Sequence, residues 1–322
     1  MKLQRKLKES EQDNERLQDE LRVAQEGAFR SMEKEQVTTI EDRKVRDELS
    51  KLEDRLRLWA RTYAIDRDIV SVSASSKELN AIITALSGYC LQEHWSILRG
   101  RIPSLARKLR FLLMQATLAK EILHTMFTSP FFMFPSSRRF DNMPSQPQLD
   151  ALYDTLLAGG SKERIHTWRS QLLTSMDKCY IESDSMTLVD AGLQGITNRL
   201  LANILEGPIN VLFKPLTGEM EINCRRRTLQ ELIYEFGELA FRLWTQRTAI
   251  SCAALSDDLV FSSSDCKMTA HRLHHLNEDD QRLKRHRIVL VTGPLIQAWG
   301  DENAENYDTS KVLAQATVCV EE

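Results

Sequence analysis

Apolar side chains recur every three and a half residues over the first 63 positions of the chain. Counted from Leu3 in alternate steps of four and three, the seam is apolar at both ends and polar between residues 31 and 42. An unbroken register of this kind predicts a left-handed coiled coil over residues 1–63. The expected seam residues are Leu3, Leu7, Asn14, Leu17, Leu21, Val45, Leu49, Leu52, Leu56, Trp59 and Tyr63.

The leucines of this seam favour pairing with a second helix, because an apolar stripe left in water gains nothing from burial. The rival interpretation is a single charged helix, since acids and bases are balanced along the segment and can pair within one helix. Asn14 in the seam would fix the register and the oligomeric state. Because the heptads already run at Leu3, one hypothesis is that the chain is a shortened form of a longer coiled coil.

Shorter helices are predicted after residue 63. A serine-rich linker at 64–76 leads into them, and the clearest span about 161–178, 187–206 and 228–254. Capping boxes, in which a Ser or Thr is followed three residues later by Glu or Gln, are predicted to begin helices at Ser75, Ser145 and Thr228.

Only near the end does the apolar period change to two. Short strands are therefore predicted near 287–292 and 311–320. The expected fold class is mainly α: a long N-terminal coiled-coil helix, then a multi-helix domain over 77–322 with a small C-terminal β element.

The stretch "VTGPLIQAWGDENAENYD" between these strands resembles two kinds of ligand loop and fits neither. It has two glycines but no Lys-Ser or Lys-Thr, which a phosphate loop of the Walker type needs. As a calcium loop starting at Asp301, it has Asn306 where glycine is required and Val312 where a bidentate glutamate is required. The pattern favours a strand, a Gly-Pro stop and a polar turn.

Composition and charge argue against several classes of partner. The formal net charge is −3, so no global field attracts nucleic acid or an anionic membrane. No apolar stretch approaches the roughly 18 residues that span a bilayer, and no signal-peptide pattern precedes the heptads. The six cysteines are scattered without a C-x-x-C pair, which is typical of reduced structural thiols. The expected location is intracellular and cytoplasmic, with a nuclear location left open.

Candidate chemistry is sparse. Cys266, His271, His274 and His275 lie within ten residues and are the best candidates for a metal site, but a polar surface segment is favoured. Basic clusters around 99–110, 225–227 and 282–287 are flanked by acids and are expected to be solvated. We therefore predict no metal, no cofactor and no catalytic residue. The Arg-Arg-Arg-Thr run makes Thr228 a candidate phosphorylation site at a helix N-cap.

Two stretches carry a resemblance. They are "LEDRLRLWARTYAI" and "VLVTGPLIQAWGDENAENYDTSKVLAQATVCV", the second with fixed points at Pro294, Leu295, Gly300, Asn306, Tyr307 and Asp308. Their layout resembles a group of uncharacterised coiled-coil-containing proteins of filamentous ascomycete fungi. The resemblance implies a eukaryotic intracellular protein and transfers no catalytic residue.

Together these patterns favour a non-enzymatic interaction or scaffold protein. It would self-associate through the N-terminal coiled coil as a homodimer, or pair with another coiled-coil protein. The alternative is a helical ligand-binding or enzymatic domain whose pocket residues are scattered along the sequence.

Overall fold

A computed structural model describes residues 18, 40–65, 75–134, 144–180, 186–254, 260–276, 280–301 and 303–322. Residues cluster into two compact units, Met1–Ile40 and Glu41–Glu322. The elements below all belong to the second unit. Its helices are α1 (Asp42–Tyr63), α2 (Ser76–Ala85), α3 (Trp95–Arg101), α4 (Leu109–Ala119), α5 (Thr125–Thr128), α6 (Gln146–Gly159), α7 (Lys162–Asp177), α8 (Leu188–Glu206) and α9 (Glu219–Trp244). Its strands are β1 (Ala249–Ala253), β2 (Met268–Ala270), β3 (Ile288–Gly293), β4 (Leu295–Trp299), β5 (Ser310–Ala314) and β6 (Ala316–Val320).

Helix α4 lies at the centre of the unit. All of its residues except Arg110 are buried, because it packs between α1 and β3. A 3₁₀ turn, Pro103–Lys108, precedes it, and a π-helical turn, Lys120–His124, joins it to α5. An apolar helix covered on all sides in this way forms the core on which the amphipathic helices can bury their apolar faces.

The strands form a bent two-stranded ribbon with one additional strand at each end. β3 pairs with β6 and β4 pairs with β5, both antiparallel. The ribbon bends where Pro294 separates β3 from β4 and Gln315 separates β5 from β6. Proline cannot donate to a strand ladder, so pairing is interrupted at the bend. β1 adds antiparallel to β4, and β2 adds parallel to β6, which gives two three-stranded sheets.

The predicted mainly-α fold is wrong, because the two sheets make the unit mixed α/β. The helix predicted at 228–254 includes the residues of β1, whereas α9 ends at Trp244. A Gly-Pro stop and a polar turn are predicted after β3, although the chain enters β4 and the second sheet there. The long N-terminal helix is also not shown: residues 1–39, apart from Gln18, lie outside the described residues.

Several local predictions agree with the structure. The capping boxes at Ser75 and Ser145 are both present, with Glu78 and Gln148 as their reciprocal partners. The predicted strands near 287–292 and 311–320 correspond to β3 and to β5 with β6. Of the predicted linker at 64–76, Ala64 and Ile65 are buried, and residues 66–74 lie outside the described part of the chain.

Candidate binding site

The seam residues of α1 are covered by the chain itself. Val45, Leu49, Leu52, Leu56 and Trp59 are buried where α1 packs on α4, α9 and β5. Polar contacts also fix the position of α1. The Trp59 indole donates a hydrogen bond to the Arg225 carbonyl at 3.3 Å. Three ion pairs lie beside the seam. These pairs are Arg55–Glu235, Arg242–Glu48 and Lys311–Asp42. In this structure, these five positions are therefore not open to a second chain.

The half-buried Tyr63 packs against Trp59, with ring centroids 5.0 Å apart and ring planes tilted by 53°. The remaining predicted seam residues, Leu3, Leu7, Asn14, Leu17 and Leu21, lie outside the described residues.

A second stripe of α1 lines a groove of about 490 Å³. Asp54, Arg57, Leu58 and Arg61 follow the i, i+3, i+4, i+7 spacing that places side chains on one face of a helix. The 3₁₀ turn and α4 add Lys108 and Phe111, and a short 3₁₀ helix, Arg272–His274, contributes part of the opposite wall. The full lining is Asp54, Arg57, Leu58, Arg61, Ala64, Lys108, Phe111, His271, Arg272 and Leu273. We call it the basic groove.

Cations outnumber acids in the basic groove. Four of its lining residues are Arg or Lys, and Asp54 is the one carboxylate among them. Asp54 lies 2.5 Å from Arg57 and 3.5 Å from Arg272, so it bridges two walls. The Arg272 side chain nevertheless remains 63% exposed, and Leu58 is a large apolar residue that is 61% exposed. The groove thus combines a positive rim with an uncovered apolar surface.

His271 forms part of the groove wall and is only 2% exposed. Its Nδ1 accepts a hydrogen bond from the Leu273 amide at 3.2 Å, which assigns the ring hydrogen to Nε2. Nε2 has no hydrogen-bond partner. Burial, followed by the charges of His274, Arg57 and Arg272, lowers the pKa of His271 to about 4. The ring is therefore a neutral donor that lacks an acceptor.

The predicted metal candidates do not converge. Both ring nitrogens of His274 are occupied: Nε2 accepts from the Val320 amide at 3.0 Å and Nδ1 lies 3.3 Å from Glu322. Cys266 is exposed, and Nδ1 of His271 is already an acceptor. Within the described ranges, no group of three or more His, Cys, Asp or Glu side chains is placed to hold a metal ion.

Thr228 does not begin a helix, so the predicted N-cap is wrong. It lies inside α9, which begins at Glu219, and its hydroxyl donates to the Cys224 carbonyl at 2.9 Å. A phosphate there would disrupt this bond rather than meet free helix N–H groups. The helix extends further toward the N-terminus than predicted because its apolar residues there, Met220, Ile222 and Cys224, are spaced two apart and do not follow the helical period.

A second buried histidine, His166, lies beside tyrosine and arginine side chains inside the protein. His166 Nδ1 and the Tyr153 hydroxyl are 2.6 Å apart, and the His166 and Tyr307 rings are 4.5 Å apart. The fully buried Arg169 beside them donates to the carbonyls of Gln246 and Thr248, both at 2.9 Å. Its Nε and Nη1 have no partner. We call this set the sealed cluster.

Glu53 lies on α1 next to the stripe that lines the basic groove, but it is not among the lining residues. Its Oε1 is buried without a partner, about 3.9 Å from where a Cβ on Gly293 would lie. Burial, with a contribution from Asp54 and opposed by Arg57, raises the pKa of Glu53 to about 7. Burial likewise raises the pKa of the nearby Cys252 thiol to about 12, which makes Cys252 a poor nucleophile.

The basic groove is not among the features predicted from the sequence. Two of its lining residues stand out in the sequence for other reasons, Lys108 in a basic cluster and His271 among the candidate metal ligands. The Asp54, Arg57, Leu58, Arg61 spacing is a usable signal, since it places a leucine that is not in the heptad seam on one helix face with two arginines. The opposite wall depends on long-range packing that no local pattern reveals.

Comparison with known proteins gives no relative. A scan against family models, a search of curated proteins and a search of solved structures each returned no match. Among the helices that the structure describes, none is long and apolar enough to cross a membrane.

Proposed function

We propose that the protein is a non-enzymatic interaction protein that self-associates through the heptads ahead of α1, most simply as a parallel homodimer. The observation that carries the proposal is the heptad frame, which runs without a slip from Leu3 into α1. A single frame of this length is what two paired helices require, because each seam residue must meet its counterpart. Another coiled-coil protein is the other partner consistent with the same seam. The proposed location is cytoplasmic.

The role of α1 follows from its packing. Since its seam residues are engaged with α4, α9 and β5, α1 would anchor the preceding heptads to the body rather than pair itself. The pairing surface of the proposal therefore lies at Leu3, Leu7, Asn14, Leu17 and Leu21.

Replacing Leu17 and Leu21 by lysine tests this assignment in the full chain. Two charges in the seam should abolish pairing. We expect sedimentation velocity to show the variant with the mass of one chain. The matched control is Gln18→Lys with Gln25→Lys, which adds the same charge one position off the seam and should preserve the dimer.

Equal loss of association in both pairs would point to charge repulsion and contradict the seam. If both double variants remain dimers, the chains do not pair through Leu17 and Leu21. Leu49 and Leu52 are unsuitable for the test because they are 0% and 7% exposed within the body, so lysine there would unfold it.

The alternative of a ligand-binding body is favoured by a different observation, the basic groove. Its volume of about 490 Å³ lies within the usual range for small-molecule sites.

A further inference from the structure

We propose that the basic groove binds a phosphate monoester carried on an apolar or aromatic body. The inference deepens the ligand-binding alternative and does not depend on self-association. It rests on the charge of the groove, on a buried donor in its wall and on its uncovered apolar surface.

The charge balance selects a dianion. Three arginines, Arg57, Arg61 and Arg272, line one concave surface on which Asp54 is the one carboxylate. A phosphate monoester carries a charge of about −1.5 to −2 near neutral pH, and arginine binds its oxygens through two parallel hydrogen bonds. A singly charged carboxylate would neutralise less of the excess positive charge in the groove. The groove is therefore better matched to a phosphate than to a single acidic group.

The surroundings of His271 also indicate that the groove attracts an anion. Arg57 and Arg272 are among the charges that disfavour its protonation, and a positive potential that opposes an imidazolium ion attracts an anion. Its Nε2–H is a buried donor without an acceptor, and buried polar groups normally have partners. The wall of the groove therefore contains one donor whose hydrogen-bonding capacity is unused.

The apolar part of the groove requires more than free phosphate. Leu58 is 61% exposed, and it shares the lining with Ala64, Phe111 and Leu273. An exposed leucine beside an aromatic ring gains free energy when an apolar body covers it. A ligand with a phosphate at one end and a ring at the other would contact both kinds of surface.

Asp54 acts as an internal competitor for the cations. Its carboxylate bridges Arg57 and Arg272, where a phosphate oxygen would have to bind. Removing this charge should strengthen binding, which is the opposite effect to that of removing an arginine. Net charge alone would give the same two signs, so a distant charge-reversal pair is needed to show that the effect belongs to the groove.

The test is isothermal titration calorimetry of the full chain with three probes. 1-Naphthyl phosphate presents both chemical groups, 1-naphthol lacks the phosphate and inorganic phosphate lacks the ring. We expect measurable binding of 1-naphthyl phosphate and at least about tenfold weaker binding of each of the other two, because each loses one of the two contact types.

Variants locate the binding to the groove. Arg61→Glu with Arg272→Glu should weaken 1-naphthyl phosphate by at least about tenfold, and Asp54→Asn should strengthen it roughly threefold. The matched control, Arg199→Glu with Arg226→Glu, makes the same charge change at exposed positions on α8 and α9 and should leave binding unchanged. Circular dichroism of each variant checks that the fold is retained.

Failure to bind 1-naphthyl phosphate would overturn the proposal. So would an equal loss in the groove and control pairs, which would indicate attraction by net charge alone. Equal affinity for 1-naphthol would show an apolar site without anion recognition. None of these outcomes bears on the mass of the protein in solution, so the self-association proposal is tested separately.

Discussion

The basic groove and the sealed cluster contain similar residues in opposite settings. Each has a histidine whose pKa is lowered to about 4, and each has arginine beside it. In the sealed cluster, Arg169 is 0% exposed and stacks 5.3 Å from the Trp244 ring. In the basic groove, the side chains of Arg57 and Arg272 are 22% and 63% exposed.

The two regions differ in the acceptors to which the arginine N–H groups donate. Arg169 donates to two main-chain carbonyls just after α9, so its hydrogen bonds tie the end of that helix to α7. The groove arginines reach only Asp54 among the acids of the lining and keep area in contact with water. The same residue type thus stabilises the fold in one place and remains available to a ligand in the other.

Truncating Arg169 should have the largest effect. Arg169→Ala leaves the carbonyls of Gln246 and Thr248 without their donor and opens a cavity, so we expect a loss of roughly 3–5 kcal/mol in the free energy of unfolding. Urea denaturation measures it. Arg199→Ala, at an exposed site on α8, is the control and should change stability by less than about 0.5 kcal/mol. A small loss at Arg169 would show that the sealed cluster is not structural.

Glu53 should make stability depend on pH. Its folded pKa of about 7 exceeds its unfolded value of 4.5, so the native state binds the extra proton between these values and stability falls as pH rises through that window. Glu53→Gln removes this penalty and should be more stable than the parent at pH 8 by roughly 2–3 kcal/mol, with little gain at pH 4.5.

Urea denaturation at the two pH values checks this expectation. Glu206→Gln, at an exposed carboxyl on α8, should show no such difference between them. A gain from Glu53→Gln that is the same at both pH values would refute the buried carboxyl as its cause.

Gly300 controls the loop that covers the sealed cluster. Its φ is +80°, and an added Cβ would lie 2.6 Å from the Tyr307 ring. Gly300→Ala should therefore cost about 2 kcal/mol, because it combines left-handed strain with displacement of Tyr307 from His166. Thermal unfolding with Gly159→Ala as the control separates the effects, since Gly159 has open space around it. If Gly300→Ala and Gly159→Ala have equal melting temperatures, Tyr307 is not packed against Gly300 as described.

Charge reversal in the basic groove should have the smallest effect on stability. Arg61→Glu with Arg272→Glu changes two exposed side chains and removes one exposed ion pair, Arg272–Asp54, so we expect a change below about 0.5 kcal/mol. Thermal unfolding without ligand measures it. A large loss would mean that the groove arginines are structural, as Arg169 is, and would erase the contrast between the two regions.

Sequence patterns predicted the features that depend on neighbouring residues. The capping box at Ser75 and the apolar stripe of α9 were both readable, because each is set within a few residues. β1 was not, since "AISCA" has no period-two alternation and becomes a strand only by pairing with β4. The sequence also did not predict which elements bury the α1 seam. A heptad stripe indicates that its apolar residues must be buried, but it does not indicate whether the same chain or a second chain buries them. The far wall of the basic groove has the same origin in tertiary packing.

Sedimentation equilibrium of the full chain at micromolar concentration measures whether two chains pair through the leading heptads. We expect a mass of twice the 37.1 kDa chain, falling toward one chain on dilution. A mass of 37.1 kDa at every concentration would contradict it.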